Sequence, residues 1–243
     1  MSNMIKARNL THRYGDYVAV DDVSFSIEKS EFIGLVGRNG CGKTTLVRHL
    51  NGLLEPTEGE VFVNGYKVSE NQGRARRDVG YVFQNPESQI IAETVGNEVA
   101  FGPKNLGLET AEIEERVSGA LEVVGMEEKR DRHPGNLSGG EKQLLAIAGV
   151  IAMKPEAIIL DEPFSNLDYP SVKKVLARIR ELNRDGMTVL VITHDLSKLY
   201  GEIDSLLVME DGVIADRGGV DEVELERYGV RKPYQSVEGT RET

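Results

Sequence analysis

Scarcity narrows the possibilities first. The 243-residue chain contains one cysteine and no tryptophan. A lone thiol, Cys41, closes no internal disulfide and builds no cysteine zinc site, so a reducing compartment suits the chain. Positive charge is short as well: 29 Lys and Arg stand against 40 Asp and Glu, a net charge of −11. That argues against a broad nucleic-acid surface and leaves room for a local basic patch at most. Long apolar runs are missing. The longest, residues 144–153, is about half of what a bilayer-spanning helix needs and reads as a buried helix. Residues 1–6 show no basic stretch followed by an apolar one, so no secretory signal is expected and membrane association has to come through a partner. No internal repeat, low-complexity tract or sustained heptad is present.

What is there supports one large α/β domain with a sizeable core and room for a subdomain, since apolar residues make up 40% and charged ones 28% of the chain. Its organising stretch is residues 37–45, Gly-Arg-Asn-Gly-Cys-Gly-Lys-Thr-Thr. Gly37, Gly42, Lys43 and Thr44 meet the G-x-x-x-x-G-K-[ST] spacing of a phosphate-binding loop. An apolar run over 31–36 precedes it and a helical pattern follows from Thr44. A strand turning through glycines into a helix aims backbone N–H groups and the helix N-terminus at one spot, which favours polyphosphate. Lys43 is placed to reach the β- and γ-phosphates and the Thr44 hydroxyl to ligate Mg²⁺. Cys41 reads as a small residue in a tight loop more readily than as a nucleophile.

Around this loop the pattern alternates between strands and helices. Residues 5–20 hold a short strand pattern with Tyr14, an aromatic that could stack on a base or simply sit half-buried in a sheet. Residues 21–29 put Val23, Phe25 and Ile27 on one face of a strand. Residues 60–68 read as a hairpin about Asn64-Gly65, 71–78 as a surface loop or short helix, and 79–83 as a strand ending at Gln84. Composition then changes: residues 85–153 show no strand and at least two helices. One of these runs from a Thr110 N-cap to Gly125, with Ile113, Val117, Ala120, Leu121 and Val124 at helical spacing. Strands return at 157–161 and 187–193, with a helix over 171–182 between them, and a hairpin about Asp211-Gly212 follows. From about Tyr228 the chain reads as polar and frayed.

Two further features narrow the chemistry. Strand 157–161 places Asp161 at a C-terminal strand edge, where open α/β sheets bind ligands. There Asp161 would hold Mg²⁺ through its water shell and Glu162 would act as general base. Residues 137–141, Leu-Ser-Gly-Gly-Glu, open the long apolar helix and form a second anion-seeking helix end. One nucleotide loop and two such ends suggest that two copies share each nucleotide.

The order of Tyr14, GRNGCGKT at 37–44, Gln84, LSGGE at 137–141, ILDEP at 159–163, SNLD at 165–168 and His194 resembles the ATP-binding subunit of ABC transporters, over nearly the whole chain. The implied fold is α/β, a P-loop NTPase (RecA-like) core with an antiparallel β-subdomain and an inserted α-helical subdomain. The implied layout is a single ABC ATPase domain over 1–243. Within it, 3–84 and 156–218 form the nucleotide-binding core and β-subdomain, 85–155 the helical signature subdomain, and 219–243 a polar tail. The resemblance further implies that Tyr14 stacks on adenine while Gly37, Arg38, Asn39, Gly40, Cys41, Gly42, Lys43, Thr44 and Thr45 wrap the phosphates. Thr44, Gln84 and Asp161 would serve Mg²⁺. Ser138, Gly139 and Gly140 would approach the γ-phosphate held by the other subunit, Asp168 would shape the seam between subunits, and His194 would contact the γ-phosphate. Departures are Glu141 where Gln is commonest, Leu144 where a basic residue is usual, Phe164 for Thr, and Asn166 for a small residue. Lys43, Asp161, Glu162 and His194 are intact.

Residues 82–106, with LSGGEKQ and AIAGVIAM, are also similar to the ATPases of energy-coupling-factor importers, which take up vitamins or transition metals. The implied cofactors are ATP and Mg²⁺. The implied partners are a second ATPase subunit, identical or paralogous, and an integral membrane subunit, with no nucleic acid. The expected location is the cytoplasmic face of the membrane. Another transporter type, exporter or importer, is the alternative. A chromosome-maintenance or repair ATPase would need a coiled coil between Gln84 and Ser138, and a translation-associated ATPase a second phosphate loop; neither is present.

Overall fold

The computed structural model describes residues 3–230. An antiparallel sheet is built from β1 (Asn3–Tyr14), β2 (Tyr17–Glu28), β4 (Glu58–Val63) and β5 (Tyr66–Lys67), in the order β2-β1-β4-β5. Gly15, at φ 58°, lets Tyr14 pair with Tyr17 across a tight turn, so β2 starts well before the residue 21 expected from the alternation. Asn64 and Gly65 both take positive φ, the requirement of a type I′ hairpin.

A second sheet holds six strands: β3 (Phe32–Val36), β6 (Val79–Val82), β7 (Ala157–Asp161), β8 (Thr188–Thr193), β9 (Ser205–Glu210) and β10 (Val213–Gly218). Their order is β10-β9-β3-β8-β7-β6, parallel except at β10. Parallel strands covered on both faces read as continuous apolar runs, and β3, β7 and β8 are buried throughout. Side chains alternate between faces. Phe32, Ile158, Leu160, Val189 and Val191 join one core cluster; Ile33, Leu35, Ile159, Leu190 and Ile192 join the other.

The second of those faces packs on α1 (Lys43–Leu50), α2 (Gln72–Asp78) and the antiparallel sheet. The first carries α3 (Val95–Asn105), α4 (Thr110–Val124), α5 (Gly139–Ile151) and α6 (Tyr169–Arg184). α5 is apolar nearly all round because it lies between β6 and the helices α3, α4 and α6. Residues 85–155 hold helices and 3-10 turns and no strand.

Two further expectations need correction. The N-cap of α4 is Glu109, in extended backbone and without a side-chain cap bond, and Thr110 is already helical. The segment after β10 is not a polar tail as far as it is described. Val223, Leu225, Tyr228 and Val230 are buried in the larger core cluster, because apolar residues two to three apart turn inward around a 3-10 turn at Leu225–Tyr228. The rest of the expected tail, 231–243, lies outside the described residues.

The contact between β6 and α5 is close enough to test. A Cβ on Gly80 would fall 2.2 Å from Val150 Cγ1, and a β-branched side chain in a helix has little freedom to give way. Gly80→Ala should therefore cost about 1–3 kcal/mol. The cost should shrink in a Val150→Ala background, as read by urea denaturation of the two single variants and the double variant.

Candidate functional site

Three parallel strands deliver their C-terminal ends to one place. β3 runs into the glycine loop and α1, β7 ends on Asp161, and β8 leads to His194. Two glycines fix the loop. A Cβ on Gly37 would stand 2.1 Å from the Met209 carbonyl oxygen, and one on Gly42, at φ 104°, 2.2 Å from that of Ala19. No side chain fits either position. α1 opens at Gly42 without a side-chain cap, so the amides of its first turn keep their affinity for an anion.

Lys43 is buried, and its ammonium donates to the carbonyls of Gly37 at 2.8 Å and Arg38 at 2.9 Å. Cys41 Sγ is the third neighbour, at 3.8 Å. Burial pushes the Cys41 thiol up, which works against a thiolate nucleophile and leaves Cys41 as loop packing.

Asp161 is 5% exposed. Its Oδ2 accepts from the Tyr81 hydroxyl at 2.8 Å and from Thr44 Oγ1 at 3.2 Å. Burial raises its pKa, and the bonds from Tyr81 and Thr44 act in the opposite direction. Burial, with the neighbouring Asp161 charge next in weight, raises the Tyr81 phenol and keeps it a hydrogen-bond donor.

Glu162 takes a left-handed backbone, φ 49°, after its N–H is drawn to the Ile192 carbonyl at 2.9 Å. The turn aims its carboxylate at β8. Oε1 accepts the His194 backbone N–H at 3.0 Å and meets His194 Nδ1 at 2.7 Å, while Oε2 accepts from Thr193 Oγ1 at 3.4 Å. A carboxylate accepts, so Nδ1 carries the ring proton.

These groups frame an open cavity of about 420 Å³. Of the residues singled out in the sequence, Tyr14, Asn39, Gly40, Gly42, Lys43, Thr44, Thr45, Gln84, Asp161, Glu162 and His194 line it. Tyr14 is half exposed, with His12 edge-on to its ring at 4.5 Å between centroids. Gly37, Arg38 and Cys41 belong to the loop without lining the cavity; Arg38 packs against Gly229.

Ser138, Gly139, Gly140 and Asp168 stand apart from the cavity and together with one another. Ser138 and Glu141 form a reciprocal capping box on α5. Asp168 caps α6 through the Ser171 N–H at 3.0 Å. Gly140 lies so close to Ser171 that a Cβ there would meet its hydroxyl at 2.6 Å. The two helix ends make a second polar patch.

Sequence reasoning passed over Tyr17, Ala19 and Ile192, which also line the cavity, and Tyr81 and Thr193, which hold its carboxylates. A signal existed for Tyr17, three residues past Tyr14 across a glycine turn. Tyr81 sits in an ordinary strand pattern, and only the register of β6 against β7 reveals its reach.

A family profile described as "ABC transporter" matches residues 20–165. The chain belongs to the ABC transporter family. It is 43% identical over 94% of its length to the energy-coupling factor transporter ATP-binding protein EcfA of Methanocaldococcus jannaschii, covering 84% of that protein. To the cobalt import ATP-binding protein CbiO of Syntrophus aciditrophicus it is 47% identical, over 87% of this chain and 76% of that one. The structure of cbiO1 from Clostridium perfringens, part of the ABC transporter complex cbiONQ, superposes with a TM-score of 0.86 at 32% identity, over 94% of this chain and 93% of that one. This is an ATP-binding, ATP-hydrolysing transporter subunit. No helix among the described residues is long and apolar enough to cross a membrane.

Behind the loop lies a buried base. His49 of α1 is fully buried, with Nδ1 against the Leu54 carbonyl at 3.1 Å, and burial lowers its pKa from 6.5 to about 4. Between those values the unfolded chain binds a proton that the folded chain refuses, so stability falls as pH drops from 6.5 toward 4. One such proton amounts to about 2 kcal/mol lost between pH 7 and pH 5. His49→Gln should show a correspondingly shallower loss when denaturation is compared at the two pH values.

Proposed function

We propose that this chain is the ATPase subunit of an importer of the energy-coupling-factor or cobalt type, driving uptake of a vitamin or transition-metal ion through a separate membrane subunit. The convergence of Lys43, Thr44, Asp161, Glu162 and His194 on one strand-edge cavity carries the chemical part of the reading. The names of the relatives EcfA and CbiO support the importer part.

Polyphosphate binds to the loop amides and the open end of α1, and Lys43 exchanges the carbonyls of Gly37 and Arg38 for β- and γ-phosphate oxygens. Tyr14, exposed at the cavity rim, stacks on adenine, with Asn39, Gly40 and Thr45 along the phosphates. The oxygen donors present suit Mg²⁺, a hard cation that binds through few protein ligands, substrate phosphates and water. Thr44 directs its hydroxyl proton to Asp161 and so keeps lone pairs for a cation. Asp161 and the Gln84 amide complete the set. Mg²⁺, when bound, neutralises charge on the phosphates. Glu162, held by His194 and Thr193, orients and deprotonates the attacking water. His194, whose Nδ1 lies against Glu162 Oε1, contacts the γ-phosphate.

Ser138, Gly139, Gly140 and Asp168 complete the site of a second copy or close paralogue in a head-to-tail pair. Their separation from this chain's own cavity supports that arrangement. The helical stretch 85–155 acts as a subdomain that receives the membrane subunit, at the cytoplasmic face of the membrane.

Two sets of outcomes test this. Lys43→Ala should weaken ATP binding and abolish hydrolysis. Glu162→Gln should keep ATP binding, lower turnover at least about 100-fold and accumulate a dimer with Mg-ATP in light scattering. Adding Ser138→Arg should abolish that dimer. Wild-type turnover in Glu162→Gln rejects the base assignment, and a monomer at high concentration, alone and with any paralogue, rejects the pair.

The second set concerns docking. Ile91 is 66% and Phe101 46% exposed, whereas Ile90 packs on the core. An amphipathic helix of the membrane subunit laid across the exposed pair fits the helix-in-groove mode. Ile91→Glu and Phe101→Glu should lose co-purification and uptake in the reconstituted complex while basal ATPase stays within a few-fold. Unchanged complex formation and uptake would place docking elsewhere.

A further inference from the structure

The motif set assigns no work to Tyr81. It stands in the middle of β6, is 7% exposed, and its hydroxyl reaches Asp161 Oδ2 at 2.8 Å. Tyr81 pairs with Ile159, two residues before Asp161, so all three point to the same face of the sheet. The length of the tyrosine, with a donor at its tip, spans that two-residue step. The Phe83 ring packs on the Tyr81 ring at 4.8 Å and fixes its direction.

The second donor to Oδ2 is Thr44 Oγ1, at 3.2 Å. Both protein donors therefore converge on one oxygen, and no donor among the described residues bonds Oδ1. Thr44 makes the longer of the two contacts, at 3.2 Å against 2.8 Å from Tyr81. Tyr81 does not line the cavity, so its hydroxyl is not shared with a bound cation. A carboxylate pinned at one oxygen by a rigid aromatic donor presents the other oxygen in a fixed direction, as partners of metal ligands do elsewhere.

We propose that Tyr81 is a positioning residue for the divalent cation, holding Asp161 by Oδ2 so that Oδ1 faces the metal and its water. This rests on the reading of Asp161 as part of the Mg²⁺ site. It extends the metal site to a residue in β6, the strand that leads directly to Gln84. Two cation-facing groups, Asp161 and Gln84, are then set by one short strand.

The test is Tyr81→Phe, which keeps the ring and its packing and removes only the donor. Mn²⁺ in place of Mg²⁺ allows the metal to be followed directly by electron paramagnetic resonance, without turnover. With ADP bound, Tyr81→Phe should weaken Mn²⁺ binding about 10-fold, and ADP affinity measured in EDTA should stay within two-fold of wild type. Asp161→Asn should weaken Mn²⁺ by itself, and Tyr81→Phe should add little in that background, because its effect passes through Asp161. Unchanged Mn²⁺ affinity in Tyr81→Phe overturns the proposal. So does a fall in ADP affinity in EDTA matching the fall in Mn²⁺ affinity, which would mark Tyr81 as a packing residue. A wild-type protein that, with ADP, binds Mn²⁺ no tighter than ADP does in solution would instead overturn the reading of the metal site, and this inference with it.

Discussion

Backbone amides can grip a polyphosphate only if nothing larger than hydrogen stands between them and the ligand, and the fold is arranged around that requirement. Gly37 is walled by the Met209 carbonyl and Gly42 by that of Ala19. Met209 belongs to β9 and Ala19 to β2, so the parallel and antiparallel sheets press on the loop from two sides. The antiparallel sheet is therefore one wall of the nucleotide site as well as the carrier of Tyr14 and Tyr17. Cys41 is buried between these walls, which explains a small, uncharged side chain inside a polar loop. Changing either glycine would move a sheet or open the loop.

The same constraint shapes the electrostatics. Burying a carboxylate is costly unless it is hydrogen-bonded, and a salt bridge would cancel its charge. Asp161 and Glu162 are held mainly by neutral donors: the hydroxyls of Tyr81, Thr44 and Thr193, a backbone N–H, and a histidine ring whose charge depends on protonation. The carboxylates are thereby oriented without an ion pair to Lys43, a state that suits their proposed roles toward a cation and a water. Lys43 is treated in the mirror-image way, with two neutral carbonyls rather than an acid. Lys43 and the two carboxylates thus share one cavity without forming an ion pair with each other.

How much of this could be read from the chain depends on how local each signal is. The glycine loop, the apolar strands 157–161 and 187–193, and the Asn64-Gly65 turn are each specified within a few residues, and they stand where expected. The residues on those segments that line the cavity were legible for the same reason. Tyr81 was not, because its partner is 80 positions away and the contact depends on parallel register. The buried segment after β10 was missed because Val223, Leu225, Tyr228 and Val230 lie among charged neighbours that mask any periodicity. Thr110 was misplaced by one residue because cap preference is statistical, and extended backbone at Glu109 decides where α4 begins.

The route out of the site is also set by hydrogen bonds. From Gln84 the chain passes through residues 85–92 into α3, and this passage is tied down at three points. Gln89 Oε1 accepts the Phe83 N–H at 3.2 Å, Asn85 caps the 3-10 turn at Pro86–Ser88, and the buried Glu98 accepts the amides of both Ile91 and Ala92 through Oε2, at 2.9 and 2.8 Å. A slack linker would absorb a displacement of Gln84. A segment pinned at both ends would pass it on to α3 and to the exposed side chains of Ile91 and Phe101. Coupling of this kind needs a connected element with two arrangements. On the proposed reading, Gln84 serves the Mg²⁺ site at one end of this passage, and the membrane subunit docks near its other end, where apolar side chains are left uncovered.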